Sequence, residues 1–350
     1  MKVPYIVKYS IQRIILLLIT TFIILSLTFF LIKMLPDGAM PTSQVGQFTF
    51  CQNQVELGYY LASHSDQAGL GDAIFKYTAN DGTYWVFYRK PVIQQYFAYL
   101  SGIFTKWNWG LSTAINPSAS AIRIIMERLK PTIIVNIFAM LISVPLGFLF
   151  GIIAALKKNK WQDNLISTIV MILISVPSFV TISLLLLWLS YGSGLLPSNW
   201  PKGDASVGDY AAALVIPVLS LSFGTVASFT RYTRAELTEV ISSEFLLLAR
   251  TKGLTKKQSI VRHALRNSMV PIVPMIIGEF VGILSGSMIL EQLYSIPGIG
   301  SLFINCINSK DYNVLLVDMA LYTVIGLVAN LLVDLSYGII DPRIRMGAKA

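Results

Sequence analysis

Few residues in this chain are equipped for bond-making chemistry. The only histidines, His64 and His263, and the only cysteines, Cys51 and Cys306, lie outside the long apolar runs that dominate the sequence. Two distant histidines and two distant cysteines do not make a zinc site, which takes four ligands, or an H-E-x-x-H pair. They leave no Ser–His dyad within the apolar runs either. No G-x-x-x-x-G-K-[ST] occurs, so the chain has no P-loop to cradle nucleotide phosphates. What remains is a sparse set of polar groups inside apolar runs. Glu279 interrupts one run, and Asp318 and Asp334 sit near opposite ends of another with Asn330 between them. Ionisable groups in such runs face a bundle interior or a water-filled path. Glu279 is the deepest and is expected to line a translocation path together with Ser285 and Ser287. Asp318 and Asp334 are expected to reach the interfaces. Three isolated acids do not resemble the relay of a proton-driven carrier.

Hydropathy defines the elements that must position these groups. Of 350 residues, 54% are hydrophobic and 13% charged, and the mean hydropathy is +0.64. A soluble domain carries about 25% charge, so an all-α integral membrane protein is expected. About 20 apolar residues cross a bilayer core as a helix. Six runs qualify: 11–35, 132–156, 165–190, 211–230, 270–290 and 317–340. The first is too long for a signal-peptide core and lacks a small-x-small cleavage site, so it is expected to be retained. Pro145, Pro177 and Pro217 fall inside runs and point to a packed bundle, where neighbours satisfy the backbone groups a proline frees.

The net charge of +9 reads as topology rather than nucleic-acid binding, because Lys and Arg gather in cytoplasmic loops. Lys2, Lys8 and Arg13 have no acid among them, and 157–164 holds Lys157, Lys158 and Lys160 against Asp163. Loop 231–269 has eight Lys/Arg against three acids, whereas 191–210 and 291–316 each have one Lys and two acids. Both termini are therefore expected inside. This divides the chain into 1–35 with the first span, an outer segment 36–131, a five-helix core 132–340 containing loop 231–269, and a tail 341–350.

The outer segment is long enough to hold a small folded unit. In "FKYTANDGTYWVFY" (75–88), aromatic and β-branched runs flank Asn80-Asp81-Gly82, a β-hairpin signal. It is either a solvated decoration or a docking element. "SASAIRIIMERLKP" (118–131) is amphipathic and is expected to form an interfacial helix before the second span. Cys51 and Cys306 both fall in outer segments, where a disulfide is permitted but not indicated.

The remaining question is the basic stretch "SEFLLLARTKGLTKKQSIVRHALRNSMVP" (243–271) between two apolar runs. Phe245, Leu248 and Ala249 are expected to share the apolar face of a short helix, ended at Gly253 by a left-handed conformation. Thr255-Lys256-Lys257-Gln258 reads as a capping box opening a second helix, with Ile260, Val261, Ala264 and Leu265 as its apolar stripe. Periodicity leaves two readings open: a basic helix resting on anionic lipid, or a lever fitted to a groove in a partner protein.

Several stretches resemble one family. "ARTKGLTKKQSIVRHALRNSMVPIV" looks like the coupling loop of ABC importer membrane subunits, whose pattern is E-A-A-x-x-x-G, nine residues, then I-x-L-P. Ala249, Gly253 and Leu265 match it; Leu247, Leu248, His263 and Arg266 depart in the manner of the oligopeptide/dipeptide/nickel branch. "RYTRAELTEV" (231–240), "EQLYSIPGIGSLF" (291–303), "NLLVDLSYGIIDPRIR" (330–345) and "PVIQQYFAYLSGIFTKWNWGLS" (91–112) agree. The resemblance covers the chain except about 40–88. It implies a type I importer permease fold with six spans and a small outer insert. It also implies a second, homologous permease, two ATP-binding subunits and an extracytoplasmic substrate-binding protein, in a bacterial or archaeal cell membrane. ATP and Mg would be bound by the partners, and the chain itself would hold no cofactor and bind no nucleic acid. The coupling residues would be Glu244, Phe245, Leu248, Ala249, Arg250, Gly253 and Leu254. Peptides are the implied cargo, with nickel or another small solute as the alternative. A secondary transporter or a membrane scaffold would not account for the coupling-loop pattern.

Overall fold

The computed structural model describes residues 5–35, 40–67, 72–282 and 286–340; Ser285 and the expected tail 341–350 lie outside the described residues. The elements run α1 (Tyr5–Lys33), α2 (Gln44–Glu56), β1 (Tyr60–Ser63), β2 (Phe75–Thr78), β3 (Tyr84–Arg89), α3 (Val92–Lys106) and α4 (Ala121–Leu156). They continue with α5 (Trp161–Ser175), α6 (Ser178–Leu185), α7 (Val207–Ile241), α8 (Glu244–Thr251), α9 (Lys256–Ser259) and α10 (Leu265–Gly282). Last come α11 (Met288–Leu293), α12 (Ile299–Ser309) and α13 (Tyr312–Ile340). One π turn, Leu186–Gly192, extends α6, and another, Ile260–Ala264, joins α9 to α10.

Among the described residues, five helical stretches are long and apolar enough to cross a membrane: Ser10–Lys33, Ala121–Leu156, Val207–Ile241, Lys256–Gly282 and Tyr312–Ser336. The expected sixth is a pair, α5 and α6, bent by 97°. Pro177 lies at the bend with φ −60°. Val176 before it is extended at φ −95° and ψ 116°, as the clash with a following proline ring requires. Pro145 and Pro217 remain inside α4 and α7. Two boundaries also differ from expectation. Residues 118–131 form no separate interfacial helix, because α4 runs from Ala121 straight through Pro131. The run 270–290 is helical to Gly282, and its last residues belong to the separate short helix α11.

The chain divides into two compact units. In the first (1–17, 130–301 and 325–350), α7 packs against α5, α6 and α10. A Cβ on Gly147 would stand 2.6 Å from the Cβ of Phe229, and one on Gly151 2.5 Å from that of Thr233. Only glycine lets α4 lie this close to α7. Gly278, Gly282 and Gly286 recur at four-residue spacing in the sequence, which leads to an expectation of close helix contact. Gly282 has no neighbour within 4 Å of an added Cβ and Gly278 makes only ordinary contact with Val333, whereas a Cβ on Gly286 would stand 2.6 Å from Glu291 Oε1 and 3.0 Å from Thr132 Cγ2. Ile182, Ile216, Leu290, Tyr294 and Ile296 form the largest buried cluster of this unit. Asp334 pairs with Arg13 at 3.2 Å.

The second unit (18–129 and 302–324) contains the expected hairpin. β2 and β3 pair antiparallel with Thr78 opposite Tyr84, and β1 adds on the other side of β3, giving the order β1-β3-β2. Gly82 takes φ +82° at the turn, and its N–H donates to Ala79 O at 2.9 Å. Because β3 is central, Val86 and Phe87 are fully buried. Cys51 and Cys306 are both free thiols buried in this unit's core; burial pushes the Cys306 thiol up from its ordinary pKa. Asp318 is fully buried in this unit. Asp311, also buried, ties 112–115 in place: its Oδ2 accepts from Ser112 Oγ at 2.5 Å and from the N–H groups of Thr113, Ala114 and Ile115 at 3.1 Å each.

Candidate coupling helix and translocation cavity

α7 ends at Ile241, and Ser243 takes extended backbone (φ −73°, ψ 148°) as the N-cap of α8. On eight-residue α8, Leu246 and Ala249 are buried, one helical turn apart on one face. Leu246 joins a cluster with Ala155 of α4, Leu237 of α7 and Ala264 of the π turn. α8 is thereby fastened to three other elements. On its other side Phe245, Leu247 and Leu248 are 50%, 62% and 55% exposed. The expected face of Phe245, Leu248 and Ala249 is therefore split: Ala249 points inward and the other two outward. The run Phe-Leu-Leu-Leu-Ala is apolar on both sides, so periodicity could not say which side packs. Glu244 and Arg250 are exposed, and Leu254 is half-buried.

Gly253 takes φ +92°. A Cβ there would meet nothing within 4 Å, so the backbone angle, not space, calls for glycine. Thr255 then caps α9: its Oγ1 accepts from Gln258 N–H at 3.3 Å, and Gln258 Oε1 accepts from Thr255 N–H at 3.1 Å. This is the expected capping box. The second helix does not end within the basic stretch but continues through the π turn to Gly282. Of its expected apolar stripe, Ile260 and Ala264 are buried, Leu265 is half-buried, and Val261 is exposed.

A second fastening was not anticipated from sequence, which counted both partners only as topology charges. Arg234 of α7 grips Asp163 of α5 with two prongs, Nε to Oδ1 at 2.5 Å and Nη2 to Oδ2 at 2.8 Å. The N–H of Asn159 donates to the same carboxylate at 2.9 Å. Such forked charge-assisted pairs fix orientation as well as distance.

Glu279 lies on α10 with its carboxylate exposed, accepting a hydrogen bond from Thr225 Oγ1 of α7 at 3.0 Å. The two, with Asn136 of α4, line a cavity of about 180 Å³ whose other walls include Ala139, Leu221 and Gly282. Three helices thus place polar groups around one space. Ser287 is not among its lining residues; it is the N-cap of α11.

The polar residue that sequence reasoning missed is Glu291, in "EQLYSIPGIGSLF". It is buried, and accepts from Thr132 Oγ1 and from Ser301 N–H, each at 2.8 Å. The N–H groups of Gly300 and Ser287 add to the cradle. Thr132 Oγ1 in turn accepts from Ile299 N–H at 3.0 Å. Burial pushes the Glu291 carboxyl up from its ordinary pKa, while these donors pull the other way. A Cβ on Gly298 would fall 2.3 Å from Glu291 Oε2, so this glycine is required for the backbone to wrap the carboxylate. The available signal was one acid among closely spaced glycines.

These arrangements can be set beside known proteins. The family model for the binding-protein-dependent transport system inner membrane component matches residues 147–346. The dipeptide transport system permease protein DppB of Lactococcus lactis subsp. cremoris is 34% identical over 341 residues, 97% of this chain and 100% of that one. DppB of Bacillus subtilis is 29% identical over 98% of this chain and 99% of its own length. The oligopeptide transport system permease protein OppB of Haemophilus influenzae is 30% identical over 97% and 99%. Matches of this extent run across 40–88, correcting the expectation that the likeness stops there. With apolar helices enough for several membrane crossings and a family match over more than half its length, the chain belongs to the binding-protein-dependent transport system inner membrane components, the permease subunits of ABC importers.

Proposed function

We propose that this permease carries short peptides inward and is driven by ATP hydrolysed in separate subunits. The observation that carries the mechanism is the two-sided helix α8. Leu246 and Ala249 lock it to the helical bundle, while Phe245, Leu247 and Leu248 stand exposed beside Glu244 and Arg250. Exposed apolar side chains on a firmly seated helix suit a groove in a partner protein. In this reading the loop is cytoplasmic and α8 sits in a cleft of an ATP-binding subunit. Closure of the ATPase pair moves α8, and Leu246 passes the movement to α4 and α7. The Asp163–Arg234 clamp makes α5 follow α7. A second, homologous permease completes the pathway, and a binding protein delivers peptide from outside.

The cavity at Glu279 is assigned to the translocation path. A carboxylate facing hydrocarbon costs roughly 2.5–3.5 kcal/mol on insertion scales; the cavity of about 180 Å³ beside Glu279, roomy enough for several waters and lined also by Thr225 and Asn136, relieves that cost. Peptides as cargo are supported by the names of the relatives, dipeptide and oligopeptide permeases aligned over nearly the whole chain. The test is uptake of a labelled dipeptide and a labelled pentapeptide by cells lacking this chain and by cells in which it is restored. Restoration of neither, with normal membrane expression, would refute peptide import.

A further inference from the structure

In the first unit, a cavity of about 500 Å³ opens between α4, the segment leading into α7 and the turn after α11. Small-molecule pockets run to about 300–1,000 Å³. Two cations line it from separate parts of the chain, Lys130 of α4 and Lys202 before α7. Among the described residues neither makes an ion pair. The stretches around the cavity, 127–140, 194–214 and 288–301, are all described. Their acids are otherwise engaged or stand outside the cavity wall. Glu127 pairs with Arg123 at 2.9 Å. Asp209 accepts from Ser206 N–H and Oγ, and Glu291 from Thr132 and Ser301. Asp204 is exposed and is not a lining residue.

The rest of the wall is apolar and firmly held. Trp200 and Tyr210 stand edge to face with ring centroids 5.7 Å apart, and Ile134 and Leu214 line the cavity beside them. Trp200 N–H donates to Tyr294 O at 2.9 Å, and the Tyr294 hydroxyl donates to Pro197 O at 2.8 Å. These two bonds fasten the segment to the end of α11. Two further wall residues, Pro131 and Pro297, directly precede Thr132 and Gly298, which both close on Glu291. Charged lysines beside packed aromatic rings suit a small molecule with one anionic end and an apolar body. The cavity also has a definite place along α7. Tyr210 and Leu214 line it, and Leu221 and Thr225, which line the cavity at Glu279, continue the same stripe about two and three turns beyond Leu214. α8 follows the opposite end of α7. With α8 cytoplasmic, this cavity is at the outer mouth of the path.

We propose that this cavity receives the C-terminal carboxylate of the peptide cargo between Lys130 and Lys202, with the last side chain of the peptide against Trp200 and Tyr210. This rests on the reading of the cargo as short peptides. Every free peptide carries a terminal carboxylate whatever its side chains, so a lysine pair grips it without reading sequence. Lysine suits the task, because its ammonium is a point charge on a flexible stem and accepts a carboxylate from many directions.

The test is direct binding to the importer complex in nanodiscs, without its binding protein, read by saturation-transfer NMR at millimolar peptide. The probes are alanyl-alanyl-phenylalanine as the free acid and as its C-terminal amide. The wild-type complex should bind the acid about tenfold more tightly than the amide. Lys130→Gln with Lys202→Gln should bring the two within about twofold, and Lys202→Gln alone should cut the preference to about threefold. The single variant keeps the test decisive if the double variant fails to assemble. Lys130→Arg with Lys202→Arg, which keeps both charges, should keep the preference. Equal binding of acid and amide by the wild type, binding of neither, or a preference unchanged in both glutamine variants would overturn the proposal. Equal binding together with loss of binding-protein docking in the double variant would assign the lysines to that protein instead. Cellular uptake separates this claim from the cargo reading. Uptake of peptides with no acid preference sinks the carboxylate site alone, whereas an acid preference without uptake sinks peptide import and leaves the site.

Discussion

At the scale of single residues, three positions carry separable predictions. Gly253 has φ +92° and open space around it, so Gly253→Val adds backbone strain of about 1–3 kcal/mol without a clash. The expected outcome is normal membrane expression with peptide uptake and peptide-stimulated ATPase activity both strongly reduced. Wild-type values for both would detach this turn from coupling. Glu279→Gln keeps the bond to Thr225 and should leave uptake near normal if the carboxylate only hydrates the path, whereas loss confined to substrates with a free amine would mark direct recognition. Glu279→Leu should impair uptake in either case; normal transport by that variant would remove Glu279 from the path. Glu291→Gln turns an acceptor into a donor facing the N–H groups of Ser301 and Gly300. Each buried donor left unpaired costs about 1–3 kcal/mol, so the thermal midpoint of the solubilised complex should fall by several degrees. Gly253 was legible in sequence because glycine before a capping box has a local cause. Glu291 was not, because its partners Thr132 and Ser301 lie far apart in the chain and no period links them.

At the scale of elements, α8 separates packing from docking by its two faces. Leu246→Ala removes a fully buried side chain from the cluster with Leu237 and Ala264 and should destabilise the subunit by about 2–5 kcal/mol. Phe245→Ser with Leu248→Ser changes only exposed side chains and should leave stability intact while weakening co-purification of the ATPase. A result in which Leu246→Ala alone releases the ATPase would reverse the assignment of faces. The hairpin was legible because Asn-Asp-Gly between alternating runs has a local turn chemistry, yet its partner β1 was not, since residues 60–63 carry no turn signal tying them to β3. This alters what a deletion means. Removing 74–88 takes out the central strand and should expose the Cys51 thiol to alkylation; replacing only 80–82 by a longer flexible loop should not. Membrane spans were legible as apolar length, whereas the 97° break at Pro177 depended on how neighbouring helices meet a proline that looks the same in sequence as Pro145 and Pro217.

At the scale of the whole molecule, the proposed role is to convert closure of an ATP-binding subunit into movement of this chain's helices. The chain's buried polar groups fit that role. Asp163–Arg234, Glu291 and Asp311 each bind distant segments into rigid pieces, while the less enclosed Glu279 is left beside a cavity. The central claim is that peptide movement through this chain is driven by ATP through α8. The most direct measurement is uptake of a labelled peptide into proteoliposomes holding this chain, its partner permease and the ATP-binding subunits, with loaded binding protein supplied at the outer face and ATP inside. The account predicts uptake that requires ATP, survives a protonophore, and is lost in Phe245→Ser with Leu248→Ser. Uptake that proceeds without ATP and collapses with the protonophore would contradict it.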